Sequence, residues 1–195
     1  LSELTFPVYN VKDFDKLPIP FRAMATDVVN GKEVILSKGS LSFAMRASMS
    51  LPAVFKSMPY EGTLLVDGGV MNNFPTDVAK QMGADIIIGS DVGGGMDPKE
   101  KLNDFVSVLM QTSMFPSNLK NPENRKNCTI LVDHLPNLRF STADFNESNE
   151  IYKDGKIATA QNIPALSALA EKLKGYKQRT HFLPEIPNEF FIDTI

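Results

Sequence analysis

Hydrophobic and polar residues alternate along the first part of the chain in patterns typical of a β-hairpin followed by a helix. Residues 21–29 form an apolar, strand-like run that ends at Asn30-Gly31, a dipeptide favoured in tight hairpin turns. Residues 33–37 are therefore predicted to return as the second strand. From Ser40 the spacing becomes helical, with Leu41, Ala44, Met45 and Ser48 on one face, which predicts a helix that has Ser40 as its N-cap and ends at Pro52.

The rest of the chain alternates between short apolar runs and segments of helical spacing. Three runs are predicted to be buried strands: residues 63–66, 86–88 and 128–132. Three segments have helical spacing: residues 75–82, 102–110 and 145–174. In the last of them, Pro164 is predicted to kink or break the helix. This alternation of strands and helices predicts an α/β domain with a largely parallel sheet.

Composition and charge narrow the class of protein. The 195 residues include 43% hydrophobic and 22% charged residues, which is typical of a globular domain and not of a disordered chain. The net charge is −3 and there is no long basic run, which argues against nucleic acid as a partner. Cys128 is the single cysteine, so an internal disulfide framework and a cysteine-rich zinc site are excluded. No apolar stretch approaches the ~18–20 residues of a membrane-spanning helix.

The first candidate for chemistry is the sequence Asp67-Gly68-Gly69. It places an acid at the end of a predicted buried strand, which is where open α/β sheets hold their ligands. The two glycines permit a positive φ and a close backbone approach, which can aim the carboxylate into a pocket. The alternative interpretation is a turn in which the aspartate caps neighbouring amides.

Two serines, Ser48 and Ser50, lie near the end of the predicted helix and upstream of Asp67. They are candidates for hydrogen-bonding a catalytic loop or for nucleophilic attack. A nucleophilic serine usually needs a strained G-x-S-x-G elbow, and this motif is absent from the sequence. We therefore interpret both serines as structural residues of the helix end.

Glycines and histidines provide weaker candidates. Gly93-Gly94-Gly95 follows a predicted strand but lacks the spacing of phosphate-binding loops, which favours a plain connecting loop. His134 directly follows a predicted strand and is a candidate general base, the alternative being a solvent-facing histidine. His181 is too distant in sequence to form a local metal pair with it. The sequence predicts no metal site and no cofactor.

Taken together, these motifs resemble the patatin-like phospholipase family. The segment at 46–55, with its Arg-Ala-Ser start and Pro52, is similar to the segment that precedes the family's catalytic aspartate. Residues 65–75 are similar to its D-G-G loop with the following Asn and Pro, here Asn72 and Pro75. Residues 84–89 and 151–158 are similar to a following strand and helix. The likeness extends over roughly residues 14–175.

The resemblance implies a three-layer α/β/α sandwich and a Ser–Asp dyad that requires no histidine. Asp67 would then be the dyad acid, and the residues of its supporting loop would be Gly68, Gly69, Asn72 and Pro75. In the family the serine elbow and a glycine-rich oxyanion turn precede this region. Since this chain lacks both and opens on Leu1, we expect a fragment that is inactive alone and that needs the missing N-terminal half of the domain.

The implied substrate is a lipid or phospholipid ester. A membrane surface is a further expected partner, with the predicted loop at 110–127, including Met114, Phe115 and Pro116, as the contact. The alternative is that this segment packs its apolar residues inward. Two other functions stay open: a non-catalytic lipid-binding or interaction module with the same fold, and a triad that uses His134.

The resemblance also divides the chain into two parts. Residues 1–175 are predicted to be the C-terminal portion of a patatin-like domain, and residues 176–195 a C-terminal tail. The tail turns strand-like from Pro184 and is similar to the opening strand of the small modules that precede outer-membrane barrels in some bacterial proteins. A terminal strand that pairs with its own domain is the alternative. A bacterial envelope or secreted location and a cytoplasmic one both remain open.

Overall fold

The computed structural model describes residues 1–93, 95–140 and 144–176. These residues form two compact units, and the boundary between them in the sequence lies between Gly68 and Gly69. We refer to Leu1–Gly68 as the first unit and to the described residues from Gly69 onward as the second unit. The strand predicted from Pro184 and His181 lie outside the described residues, and the predicted division of the chain at residue 175 remains a prediction.

The first unit contains an antiparallel sheet of four strands. Its elements are helix α1 (Ser2–Thr5), 3-10 turns at Phe6–Val8 and Phe14–Lys16, β1 (Ala23–Asp27), β2 (Lys32–Leu36), α2 (Leu41–Ser48), β3 (Met58–Tyr60) and β4 (Thr63–Asp67). The strand order is β2-β1-β4-β3. Strands β1 and β2 form the predicted hairpin, with Ala23 opposite Leu36 and Asp27 opposite Lys32.

The hairpin turn is held by a buried carboxylate. Asp27 is 2% exposed, and its Oδ1 accepts the backbone amides of Val29 and Asn30, each at 3.0 Å. Its Oδ2 accepts the Asn30 side-chain amide at 2.7 Å, and the Thr63 hydroxyl of β4 also donates to Oδ1. Gly31 completes the turn with a φ of 63°, a conformation that glycine adopts without strain. The side-chain hydrogen bonds from Asn30 and Thr63 hold the pKa of Asp27 well below its usual range.

A compact core lies where α2 packs on the sheet. Its buried members are Phe14, Leu17, Ala23, Ala25, Leu36, Ala44, Ala47 and Leu65. The helix contributes only alanines to this buried set, and small side chains allow a helix to approach a sheet closely. Ser40 caps α2 as predicted, since its hydroxyl accepts the amide of Phe43.

The second unit contains most of the helices and a parallel strand pair. Its elements are α3 (Gly69–Asn72), α4 (Thr76–Gln81), β5 (Ile88–Asp91), a 3-10 turn at Lys99–Lys101, α5 (Phe105–Ser113), α6 (Phe115–Lys126), β6 (Ile130–Asp133), a 3-10 turn at Phe145–Glu147, α7 (Ser148–Ala160) and α8 (Ile163–Leu173). Strands β5 and β6 run parallel, with Ile88 opposite Ile130 and Asp91 opposite Asp133. The α/β class is therefore confirmed.

Three local predictions need correction. The sheet is largely antiparallel in the part of the chain that the structure describes, because parallel pairing is confined to β5 and β6. The run at 86–88 is not a buried strand: the strand begins at Ile88, which is 54% exposed, and only Ile87 is buried. The predicted loop at 110–127 is helical, since it covers the end of α5 and all of α6.

The structure also tests the predicted break at Pro164 and the predicted end of the helix before Gly83. Pro164 lies in the first turn of α8, so the segment at 145–174 is broken into separate helices and is not kinked. Helix α4 ends just before Gly83, which has a φ of 86° as a helix-terminating glycine often does. None of the described helices is long and apolar enough to cross a membrane.

The Asp27 turn predicts how stability depends on pH. Because the folded state lowers the pKa of Asp27, its contribution to stability is fully present above the unfolded value of about 3.9 and is lost as the pH falls below it. We expect Asp27→Asn to lower the unfolding free energy at pH 7 and to weaken its decline towards pH ~2. Denaturant unfolding across this pH range measures both effects. Asp85→Asn, which changes an exposed aspartate, is the matched control; equal pH dependence in the two variants would contradict the assignment.

Candidate active site at the Asp67-Gly68-Gly69 turn

Asp67 is the last residue of β4, as the sequence predicts. It pairs with Ala25 of β1, and its backbone amide donates to the carbonyl of Ser50 at 2.9 Å. The side chain is partly exposed. The main chain of Asp67 is thus held on two sides at the end of β4, and the residue is partly exposed.

Gly68 is required by a close backbone approach. A Cβ placed on this residue would lie 2.3 Å from the carbonyl carbon and oxygen of Met24 and 2.5 Å from its Cβ. These distances are shorter than any real contact of a Cβ atom, so β4 can leave the sheet here only at glycine. Of the two reasons that the sequence offered for the glycines, close approach is confirmed at Gly68. A positive φ is wrong for both residues.

The other residues of the predicted supporting loop belong to the second unit. Gly69 is the first residue of α3, and Pro75 is the N-cap of α4 with φ −82° and ψ 56°. Asn72 is 2% exposed, donates to Asp77 Oδ1 at 3.0 Å and accepts from Asn124 Nδ2 at 2.9 Å. Asn72 therefore ties α3 to the start of α4 and to α6.

Asn124 is a buried, hydrogen-bonded residue of the second unit that the sequence did not indicate. It is 3% exposed, and its carbonyl accepts the hydroxyl of Thr76 at 2.6 Å in addition to the side-chain bond to Asn72. A single asparagine in a polar helix has no motif around it. Only the fold, which sets α6 beside α3, shows that this amide is buried and paired.

Ser50 has the structural role that the sequence analysis favoured. It is fully buried, its hydroxyl donates to the carbonyl of Arg46 at 2.7 Å, and it accepts from Arg46 Nη1 at 2.7 Å. A hydroxyl with both functions satisfied and no solvent access is not available for nucleophilic attack. Ser48 is the last residue of α2.

A second polar cluster lies at the carboxyl ends of β5 and β6. The Arg125 guanidinium donates to the carboxylates of Asp91, at 2.6 Å, and Asp133, the paired last residues of these strands. Asp91 is 1% exposed and also accepts the amide of Gly93 at 2.9 Å. Both strand runs end in Asp in the sequence, but their shared arginine could not be identified before the strands were paired.

The remaining sequence candidates lie near this edge. The hydroxyl of Ser90 and Nε2 of His134 are 2.9 Å apart, a hydrogen-bond distance for a serine and a base. In the part of the chain that the structure describes, no carboxylate bonds the other ring nitrogen of His134. The amide of Gly93 is used by Asp91, which fits a connecting loop, and Gly94 is outside the described residues. The described residues contain no group of three or more His, Cys, Asp or Glu side chains arranged to hold a metal ion.

Comparison with known proteins finds similarity to one family in a segment that includes the D-G-G turn. Residues 7–80 match the family model of patatin-like phospholipase. The chain is 39% identical over 88 residues to patatin-like phospholipase domain-containing protein 7 of Mus musculus and 38% identical over 88 residues to domain-containing protein 6 of Homo sapiens. It is also 38% identical over 80 residues to an uncharacterized NTE family protein of Mycobacterium tuberculosis.

These matches cover 41–44% of this chain. They span only 6% of the two mammalian relatives and 22% of the mycobacterial one. The similarity therefore concerns a limited segment of much longer proteins.

The Gly68 contact gives a direct test of the turn. We expect Gly68→Ala to destabilise the protein by about 1–3 kcal/mol or more, because the new methyl group overlaps the backbone of Met24. Gly155→Ala is the matched control: its Cβ would lie 3.9 Å from the nearest His134 atom, inside helix α7. That change is expected to stabilise by about 0.5–1 kcal/mol. Chemical denaturation measures both, and a neutral Gly68→Ala would show that the turn does not depend on this approach.

Proposed function

We propose that this chain, whose residues 7–80 match the family model of patatin-like phospholipase, is part of a serine lipid acyl hydrolase to which it contributes Asp67 as the general base. The observation that carries the proposal is the position of Asp67. Its carboxylate is at the end of β4, and the backbone is fixed by Ser50 on one side and by the Gly68 contact on the other. General bases must be held within hydrogen-bond reach of the proton that they remove.

The proposed reaction begins with proton transfer to Asp67. The carboxylate accepts the proton of a serine hydroxyl while the serine oxygen attacks the carbonyl carbon of a lipid ester. The tetrahedral intermediate collapses with cleavage of the ester bond, and the leaving alkoxide takes the proton back from Asp67. A water molecule then attacks the acyl-serine and loses a proton to Asp67. The second tetrahedral intermediate collapses, the serine oxygen takes this proton back from Asp67, and the fatty acid is released with the serine and Asp67 in their starting states.

The nucleophile is proposed to lie in a part of the longer protein that is not in this chain. The sequence contains no G-x-S-x-G, and Ser50, whose carbonyl accepts the Asp67 amide, has its hydroxyl engaged by Arg46. The oxyanion donors are assigned to the same upstream part. The chain by itself is accordingly proposed to be inactive.

A lipid substrate is supported by the surface of the second unit. Residues 105–119 carry no charged side chain, and α5 has no buried residue. Phe105 is 79% exposed and Leu119 of α6 is 82% exposed, so these side chains do not pack inward. We propose that this apolar segment contacts the surface of a membrane or micelle.

Two alternatives rest on specific observations. A non-catalytic lipid-binding module is favoured by the missing elbow motif. A histidine-dependent enzyme is favoured by the hydrogen bond between Ser90 and His134. The following experiments separate both from the Ser–Asp proposal.

We expect Asp67→Asn, made in the full-length protein, to reduce ester turnover by roughly 10²–10⁴-fold, which is the usual contribution of a general base. The amide is nearly isosteric with the carboxylate, and the backbone bond to Ser50 does not involve the side chain. The melting temperature should therefore change little. His134→Ala is the matched control and should retain turnover.

Near-normal turnover in a folded Asp67→Asn protein would remove Asp67 from the mechanism. Loss of turnover in His134→Ala with Asp67→Asn unaffected would favour the histidine alternative. A full-length protein that binds lipid vesicles but hydrolyses no ester would favour the non-catalytic module.

The isolated chain should show no labelling by a fluorophosphonate probe, because no serine is placed on an elbow to attack it. Intact-mass spectrometry of a sample shown to be folded by circular dichroism is the measurement. The full-length protein, which supplies the proposed nucleophile, is the positive control. Stoichiometric labelling of the isolated chain at Ser48, Ser50 or Ser90 would contradict the assignment of the nucleophile to another segment.

A further inference from the structure

The buried Ser50 connects the end of α2 to the backbone of Asp67. We propose that Arg46 and Ser50 form a positioning pair, which we call the Arg46–Ser50 lock, that sets the orientation of the Asp67 carboxylate for catalysis. This inference rests on the proposed function, because it assigns the lock a role in the step that Asp67 performs. Neither residue of the lock is proposed to touch the substrate.

The lock fixes the chain where it leaves α2. The helix ends at Ser48, and the amide of Ser50 donates to the carbonyl of Ala47 at 3.1 Å and not to that of Arg46, as it would in a continuing helix. The hydroxyl of Ser50 donates to the Arg46 carbonyl instead and accepts from Arg46 Nη1, both at 2.7 Å. Because Ser50 is fully buried, water cannot replace Arg46 as the partner of its hydroxyl if either bond is removed.

A backbone hydrogen bond couples the position of Ser50 to that of Asp67. The carbonyl of Ser50 accepts the amide of Asp67 at 2.9 Å, across the gap between the segment after α2 and the end of β4. A rotation of the Ser50 peptide would move this acceptor and release the amide. The residue after Asp67 cannot adjust in compensation, since Gly68 is already in contact with the backbone of Met24.

Arg46 is itself held in place by a turn. Its guanidinium lies 5.1 Å from the ring centroid of Phe55, a cation–π distance. The amide of Phe55 donates to the carbonyl of Leu51 at 2.9 Å, and Ala53 inside this turn has a φ of 64°. Alanine rarely adopts this left-handed conformation, and such local strain persists only where surrounding contacts enforce it.

The expected consequence is a loss of rate that exceeds the loss of stability. Displacing a catalytic group by about 1 Å can cost ~10²-fold in rate. Ser50→Ala removes both bonds of the lock and leaves the Asp67 side chain in place. We therefore expect kcat to fall by ~10²-fold with KM nearly unchanged, because the defect is in the chemical step and not in substrate binding.

The experiment compares five variants of the full-length protein by kcat, KM and melting temperature on a short-chain ester. Ser50→Ala and Arg46→Met break the lock, and Arg46→Lys retains a cationic donor that can reach Ser50 and should recover part of the lost kcat. Leu36→Ala lowers stability by removing a buried side chain from the core between α2 and the sheet. It does not alter Arg46 or Ser50, so it shows what destabilisation alone does to kcat. Asp67→Asn reports on the proposed function itself.

The inference is supported if Ser50→Ala and Arg46→Met lose far more kcat than Leu36→Ala at a similar fall in melting temperature and Arg46→Lys recovers activity. It is overturned if Asp67→Asn is inactive but the lock variants have wild-type kcat, or lose only what Leu36→Ala loses. If Ser50→Ala does not fold, the Arg46→Met and Arg46→Lys pair decides by the same criterion. Full turnover in Asp67→Asn would instead overturn the proposed function and the lock's catalytic role with it.

Discussion

The hydrogen bond from the Asp67 amide to the Ser50 carbonyl is the contact on which the candidate site depends. It joins two segments of the first unit that are distant in sequence, and it does so at the last residue of β4. One residue further on, the approach of Gly68 to Met24 leaves no room for a side chain. These two constraints fix the backbone on either side of one carboxylate, which is the condition that a general base must meet before its chemistry matters.

Aspartates elsewhere in the chain have a different role. Asp27 is buried in its hairpin turn, and Asp154 is buried and receives two hydrogen bonds from Arg139. The side-chain hydrogen bonds from Asn30 and Thr63 lower the pKa of Asp27, and the hydrogen bonds from Arg139 lower that of Asp154. Carboxylates stabilised in this way are weak bases and serve to hold turns and helices together. Asp67 differs in position, because it is partly exposed at a strand end within the segment that matches the family model.

Local signals in the sequence predicted the local structure well. The Asn30-Gly31 turn, the Ser40 cap and the end of α4 before Gly83 depend on neighbouring residues alone, and all three are confirmed. Strand direction was not predictable in the same way, because pairing joins residues far apart along the chain. The run at 86–88 shows the same limit: an apolar sequence indicates burial only when something covers it, and Ile88 is more than half exposed.

In the candidate site, too, residues in local motifs were predictable from the sequence, whereas residues that depend on tertiary contacts were not. The D-G-G motif predicts Asp67 as the candidate base, which stays a prediction, while the missing elbow correctly favoured a structural Ser50. The partner of Ser50, Arg46, was not predicted, because the bond depends on how the chain turns after α2 and not on a motif. Asn124 was missed for the same reason, since its role exists only once α6 lies beside α3.

The central claim is that Asp67 removes the proton of the nucleophile. The most direct measurement is the rate of enzyme acylation as a function of pH, taken by rapid mixing of the full-length protein with a chromogenic ester. If Asp67 is the base, acylation of the wild-type protein falls at acidic pH as one carboxylate is protonated, and this acidic limb disappears in Asp67→Asn together with most of the rate. An unchanged acidic limb and an unchanged acylation rate in Asp67→Asn would contradict the account.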